Sequence, residues 1–314
     1  MPSNLPLRID GATAAARVRP FQQATLLLTS SGARVRIDLR NVVLCFRRIT
    51  ASVPRLILMV AVVLAGLTLD GCGGSPNGQT VSVPPVPLPP AIPATVPVLL
   101  FNGTGTSAPD VSAIQAVLGN LDVSYETADS VRLNALSKQQ LGGYKLIIVP
   151  GGNSITIGQS LSSETASNLR IAVQQYGVHY LGICAGAFFG AYSIYNGIDL
   201  TGGVSFDFYA DELKGIHKEP VTISFPISPR LDVYWEDGPQ LFGWGSVVAK
   251  FPDGSPAIVQ GESGKGFVIF TGVHLEAPES WRGSMSFTTP TSVDLAYAGT
   301  LFDAALSGTQ LPHF

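Results

Sequence analysis

Apolar positions along this chain fall into short unbroken runs separated by longer amphipathic stretches. Val98-Leu-Leu-Phe101 and Tyr144-Lys-Leu-Ile-Ile-Val149 read as strands buried on both faces, the pattern of a parallel sheet covered by helices. Asp122-Val-Ser-Tyr125 supplies a further short strand, with a helix predicted over residues 110–118 before it. Residues 162–176 predict another helix, opened by a serine cap with Glu164 in its first turn and closed by Gly177. The apolar strand Tyr180-Leu-Gly-Ile183 follows. This βαβ alternation predicts an α/β fold, a parallel sheet with helices on both faces. From Val221 the pattern changes to strands and turns, with 257–260 and 267–271 paired across Gly261-Glu-Ser-Gly-Lys-Gly266 as an antiparallel C-terminal extension. A last helix is predicted over 293–306, and residues 97–314 are long enough to bury one core as a single domain.

The N-terminal third reads differently. Residues 1–46 show no pattern and remain an unassigned prefix, consistent with a start site placed too far upstream. Arg47-Arg-Ile-Thr-Ala-Ser-Val-Pro-Arg55 is a basic run, residues 56–69 are apolar, and Leu69-Asp-Gly-Cys72 ends the apolar run at a cysteine. Fourteen apolar residues are short of the roughly 20 a membrane span needs, and the order matches a lipoprotein-type signal over 47–72 with Cys72 as the lipidated residue. An uncleaved signal anchor and ordinary secretion are the alternatives. Residues 73–96, with Val83-Pro-Pro-Val-Pro-Leu-Pro-Pro-Ala-Ile-Pro93, read as a proline-rich tether.

Charge and cysteine usage agree with export. The chain has 19 Lys and Arg against 22 Asp and Glu. Residues 1–71 hold nine arginines and three acidic groups, which leaves ten basic against 19 acidic residues beyond them, a balance of −9. Nucleic acid is therefore not an expected partner. Of the three cysteines, Cys45 and Cys72 precede the domain, so Cys184 has no disulfide partner within it. An unpaired thiol in an exported protein is open to oxidation, which suits a reactive role better than a packing one.

Cys184 sits in Tyr180-Leu-Gly-Ile-Cys-Ala-Gly-Ala-Phe-Phe-Gly190, between glycines where a strand gives way to a helix. A nucleophile on such an elbow needs small neighbours, here Gly182 and Gly186, and a helix N-terminus favours the thiolate. A buried structural cysteine is the competing interpretation. Pro150-Gly151-Gly152-Asn153 follows a predicted strand and exposes a backbone N–H, so Gly152 and Ala185 are candidate oxyanion donors, with Gly151 beside them in the substrate-binding turn. Phe267-Val-Ile-Phe-Thr-Gly-Val-His274-Leu-Glu276 ends a strand with an imidazole and a carboxylate two residues apart, a base and the group that orients it. Among the four histidines, His179 precedes a strand, His217 lies in a charged exposed segment and His313 in the tail, so His274 is the candidate base.

Pro-Gly-Gly, Gly-Ile-Cys-Ala-Gly and His-Leu-Glu, in that order, resemble the class I glutamine amidotransferase-like superfamily. With Tyr234-Trp-Glu-Asp-Gly-Pro239 between elbow and histidine, the likeness is closest to the amidotransferase-like domain at the N-terminus of certain biotin-protein ligases and its stand-alone bacterial form. The resemblance covers residues 97–314. It implies a flavodoxin-like three-layer fold, with Cys184 as nucleophile, His274 as base and Glu276 as its orienter. Two departures stand out. Phe188 occupies the elbow position where glutaminases of the superfamily commonly carry glutamine, which argues against free glutamine as substrate, and His-Leu-Glu replaces His-Pro-Glu. No phosphate-binding Gly-Lys-Ser/Thr loop is present, and no length remains for a ligase domain, so biotinylation is not implied.

The expected function is amide hydrolysis or acyl transfer through a thioester on a small-molecule or peptide amide, by a protein lipid-anchored in the bacterial cell envelope. Gly73 after the cysteine points to the outer membrane where two membranes exist. A cysteine peptidase of the same superfamily and a tethered binding module without chemistry are the rivals. Spacing shows no metal site, Asp207, Asp211 and Glu212 reading as a solvated face, and no cofactor is expected. Tyr234 or Trp235 could frame the pocket. The oligomeric state is not legible.

Overall fold

The computed structural model describes residues 87–314. The prefix, the signal with Cys72 and most of the linker lie outside the described residues. β1 (Val98–Phe101) leads through α1 (Ala108–Asn120) to β2 (Tyr125–Ala128). α2 (Ser130–Ala135) and α3 (Lys138–Leu141) precede β3 (Leu146–Val149), then α4 (Ser154–Ser160) and α5 (Ser163–Ile171) precede β4 (His179–Ile183) and α6 (Ala185–Gly190). After α6 come β5 (Asp207–Phe208), β6 (Lys218–Ile223), β7 (Leu231–Glu236), β8 (Pro239–Gln240), β9 (Ser246–Lys250), β10 (Pro256–Ser263) and β11 (Gly266–Thr271). α7 (Glu279–Arg282) and α8 (Thr291–Ser307) close the chain.

Seven strands form the main sheet in the order β2-β1-β3-β4-β11-β10-β9. The first five are parallel and the last two antiparallel, so the fold is a flavodoxin-like three-layer α/β domain with an antiparallel extension. Every residue of β1 and β3 is buried because side chains alternate between two cores. Leu100, Ile148 and Leu181 face one core with Ile114 of α1 and Leu301 of α8. Leu99, Ile147 and Tyr180 face the other with Leu169 of α5 and Phe189 of α6. A second, two-stranded sheet pairs β6 with β7.

Three expectations shift. The strand placed at 122–125 begins at Tyr125 instead, because Asp122 takes a left-handed φ of 54° in the turn that ends α1. The helix predicted over 162–176 has its serine cap, Ser162 accepting from Thr165 N–H, and Gly177 stops it at φ 83°, but residues Ala172–Tyr176 widen into a π-turn. Of the tether, the described end is not free: Ile92 N–H donates to Gln139 O at 2.9 Å and Pro89 O accepts from Tyr176 at 2.7 Å. One backbone donor of a non-proline residue, Ile92 N–H, and one proline carbonyl, Pro89 O, thus fasten the run to the domain.

Candidate active site

The loops after β1, β3, β4 and β11 all leave the carboxyl edge of the parallel strands, where open α/β sheets bind ligands. After β4 the chain reverses at Cys184, whose φ of 48° and ψ of −105° are strained for any side-chain-bearing residue. Such a backbone costs about 1–3 kcal/mol and persists only where its surroundings enforce it. Two contacts enforce it here. Cys184 N–H donates to Thr271 O, the last residue of β11, at 2.8 Å. On the other side α6 descends onto β3 so closely that a Cβ on Gly186 would lie 1.9 Å from Val149 O. The elbow glycines therefore permit backbone-to-backbone packing, and α6 itself is only six residues long.

β11 carries the chain to His274, whose N–H donates to Tyr234 O of β7 at 2.9 Å. The second sheet thus fixes the histidine's backbone. Its ring is buried, with Nδ1 2.7 Å from Glu276 Oε1, and the side chains of Tyr234 and Trp281 meet it edge-on at centroid distances of 5.9 and 5.7 Å. Burial alone pulls the imidazolium down, but the charge of Glu276 and the hydrogen bonds to Cys184 and Glu276 together outweigh it and hold His274 well above the ordinary histidine range. The Cys184 thiol itself also points to Glu236 O, at 3.4 Å. Nδ1 being committed to Glu276, Nε2 is the nitrogen left to exchange a proton with sulfur.

Gly151 is where these parts converge. A Cβ there would lie 2.5 Å from Asp110 Oδ2, 2.8 Å from His274 Cε1 and 3.5 Å from Cys184 Cβ. Its N–H donates to Asp110 Oδ2, and Gly151 lies in the cavity lining beside Gly152. Gly152 N–H and Ala185 N–H have no acceptor among the described residues. Gly152 lines a cavity of about 480 Å³ that reaches Cys184 and His274, with Tyr234 and Trp281 as aromatic walls and Lys218 and Asp237 among its charged lining. Small-ligand sites are of this size.

Asp110, Trp281 and Lys218 were not legible as site residues. Asp110 reads from sequence as an ordinary acid in a helix's first turn, and Trp281 and Lys218 belong to stretches without a motif. Trp235, weighed with Tyr234 as a pocket residue, is instead core, its indole N–H donating to Gly238 O at 3.2 Å. Phe188 packs on Phe208, with centroids 5.0 Å apart, and is not part of the cavity lining. His179 fastens α8 through Ala305 O at 2.8 Å, and His217 pairs with Asp237 at 2.9 Å. His313 Nδ1 lies 3.1 Å from Leu311 O. In the middle loop Asp211 is held below the usual carboxylate range by Lys214, and Asp207 is exposed. Among the described residues one cluster has metal-ligand spacing, Asp110, His274 and Glu276, whose ligating atoms lie within 4.8 Å of one another. A cation would compete there with the Nδ1–Glu276 hydrogen bond that orients the ring.

Residues 96–216 match the family model of the biotin-protein ligase N-terminal region. The match spans β1 to the loop before β6, including the Pro-Gly-Gly turn and the elbow, and ends ahead of His274. None of the curated proteins matches the chain. Solved structures of similar fold include a glutamine amidotransferase, 20% identical over 57% of this chain and 90% of its own, with a TM-score of 0.46. A glutamine amidotransferase from Thermotoga maritima is 13% identical over 68% of this chain and 90% of its own, TM-score 0.41. An exo-β-1,4-mannosidase from an Opitutaceae bacterium is 12% identical over 68% of this chain and 36% of its own, TM-score 0.44. None of the three carries an argument about chemistry. Among the described residues no helix is long and apolar enough to cross a membrane.

Proposed function

We propose that this biotin-protein ligase N-terminal-type domain is a cysteine-dependent amidohydrolase or acyl transferase acting on a small amide. The observation that carries the reading is the strained elbow at Cys184 facing a buried His274 whose Nδ1 is held by Glu276 at 2.7 Å. In the reaction, His274 Nε2 takes the thiol proton and the sulfur attacks the amide carbonyl carbon. The oxyanion forms against the N–H groups of Gly152 and Ala185. The C–N bond then breaks as His274 returns the proton to the leaving amine, leaving a thioester. Water, deprotonated by His274, releases the acid and restores the thiol. An acceptor amine in place of that water gives acyl transfer.

A cavity of about 480 Å³ walled by Tyr234 and Trp281 suits a compact amide better than an extended peptide, which disfavours the peptidase reading. Phe188 in place of the elbow glutamine supports a substrate other than free glutamine. We further propose export and anchoring through a lipidated Cys72, in the outer membrane where two membranes exist; this rests on the basic run, the apolar run and the cysteine that ends it.

Mass spectrometry of Cys184 after exposure to cell-envelope extract tests the chemistry. An acyl adduct is expected on Cys184, accumulating where a slowed deacylation leaves it trapped. Efficient hydrolysis of free glutamine that vanishes in Cys184→Ala would refute the substrate assignment, and a Cys184 that neither acylates nor alkylates at neutral pH would refute the enzyme.

A further inference from the structure

Asp110 is the one fully buried carboxyl at this site that the reaction above does not use. It occupies the third position of α1, where an acid ordinarily turns back to cap the helix or faces solvent. Here it turns inward across the sheet edge. Oδ2 accepts from Gly151 N–H, while Ser107 N–H at the head of α1 donates to Gly151 O at 2.9 Å, so the Pro-Gly-Gly turn is clasped from both sides. Oδ1 lies 4.0 Å from His274 Nδ1 and, with both carboxyls taken as ionised, has no hydrogen-bond partner despite complete burial. An ionised Asp110 would place a bare acceptor oxygen beside the carboxylate of Glu276, the costliest way to bury two acids.

One proton removes the difficulty. We propose that Asp110 is a positioning residue, a neutral carboxylic acid whose Oδ1–H donates to Glu276 while Oδ2 holds the Gly151 turn, extending the Cys184–His274–Glu276 set to four members. Glu276 keeps its charge for the imidazole and gains a second hydrogen bond that fixes its other lone pairs. Burial first, then the charge of Glu276 and the hydrogen bond to it, push the Asp110 carboxyl well above the carboxylate range, against the pull of His274 and of Gly151 N–H. The titratable groups that face it are His274 and Glu276 from the segment after β11 and Cys184 from the elbow, with Tyr234 of β7 behind the imidazole; Lys218, Glu236 and Asp237 complete the charged lining of the cavity. The effect on chemistry rests on the reading of Cys184 and His274 as a reacting pair; the protonation of Asp110 does not.

The test uses the purified protein with Asp110→Asn, Asp110→Ala and His274→Ala, and two measurements: the rate of Cys184 alkylation by iodoacetamide against pH, and the infrared carbonyl band of buried carboxylic acid at neutral pH. Asparagine reproduces a neutral acid, with Nδ2–H toward Glu276 and Oδ1 toward Gly151. Asp110→Ala is expected to slow alkylation about tenfold or more, the loss of a hydrogen bond to a charged group, and Asp110→Asn to restore the rate and pH profile while removing the infrared band. The proposal fails if the band is unchanged in Asp110→Asn, or if that variant moves the alkylation profile by about one pH unit or more, as loss of an ionised carboxylate 4.0 Å from the imidazole would. It also fails if Asp110→Ala folds and alkylates as the parent does. Should His274→Ala leave alkylation untouched, the reacting pair is wrong, and the infrared band alone then decides the state of Asp110.

Discussion

Gly151→Ala adds one methyl group and removes no polar atom, yet it should disturb this site more than most substitutions of its size. The added Cβ would stand 2.5 Å from Asp110 Oδ2 and 2.8 Å from His274 Cε1. Favourable carbon contacts begin near ~3.5 Å, so the imidazole must yield by about 0.7 Å if the turn holds still. It cannot yield easily, because its backbone is bonded to Tyr234, its Nδ1 to Glu276, and its faces are flanked by Tyr234 and Trp281. Overpacking of this kind costs about 1–3 kcal/mol, which in a domain of this size lowers Tm by roughly 2–4 °C per kcal/mol. A displacement approaching 1 Å within a reacting pair costs up to ~10²-fold in rate. Thermal denaturation and the rate of Cys184 alkylation at neutral pH measure the two effects. Gly119→Ala is the control, since nothing lies within 4 Å of a Cβ there and alanine suits a helix. A Gly151→Ala protein with parental Tm and parental alkylation would show that the turn does not press on the imidazole and would refute the geometry on which the mechanism depends.

Glu276→Gln removes the charge that most supports the imidazolium, so alkylation of Cys184 at neutral pH should fall about tenfold or more. His274 is held above its ordinary value, so its contribution to stability is present below about pH 6.5 and lost as pH rises through the folded value; that alkaline decline in Tm should flatten in Glu276→Gln. Arg282→Met leaves Asp294 buried without its ion-pair partner, a loss of about 3–5 kcal/mol by thermal denaturation, and Asp294→Asn in the same chain should recover much of it. Burial raises the Asp294 carboxyl to about 7, so its contribution is fully present below the unfolded value near 3.8 and is lost toward neutral pH, a slope absent from Asp294→Asn. Cys72→Ser should release the protein from detergent-extractable membranes into a soluble fraction; an intact 47–69 segment in the mature parent would establish a signal anchor instead.

The parallel half of the fold was legible because burial on both faces leaves an unbroken apolar run, as in Leu146–Val149, and because Ser162 and Gly177 mark helix ends by chemistry that acts within a few residues. What was not legible depended on partners distant in sequence. The hairpin of β10 and β11 was expected to turn across six residues, but Glu262 still pairs with Phe267 and Ser263 with Gly266, so the turn is only Gly264 and Lys265. Glycine and serine there read as loop; the tip is held by distant partners, Lys265 N–H donating to Gln174 O at 2.9 Å and the Ser263 hydroxyl to Leu200 O at 2.7 Å.

At the site the division is the same. Cys184, His274 and Glu276 announce themselves because each motif's local geometry, a strained elbow or two polar groups two residues apart at a strand end, is written in adjacent residues. Asp110 is 41 residues from Gly151 and 164 from His274, and nothing beside it in sequence differs from a solvated first-turn acid. Its role exists only because β1 and β3 are neighbours in the sheet and the loop between β1 and α1 is short enough to bring the third residue of the helix over the β3 turn. A carboxyl whose two oxygens meet a backbone N–H and a second carboxyl is held by tertiary structure alone. A cysteine, a histidine and a glutamate can thus be found by motif, while the group that holds their supporting turn in place emerges only once the strand order is known.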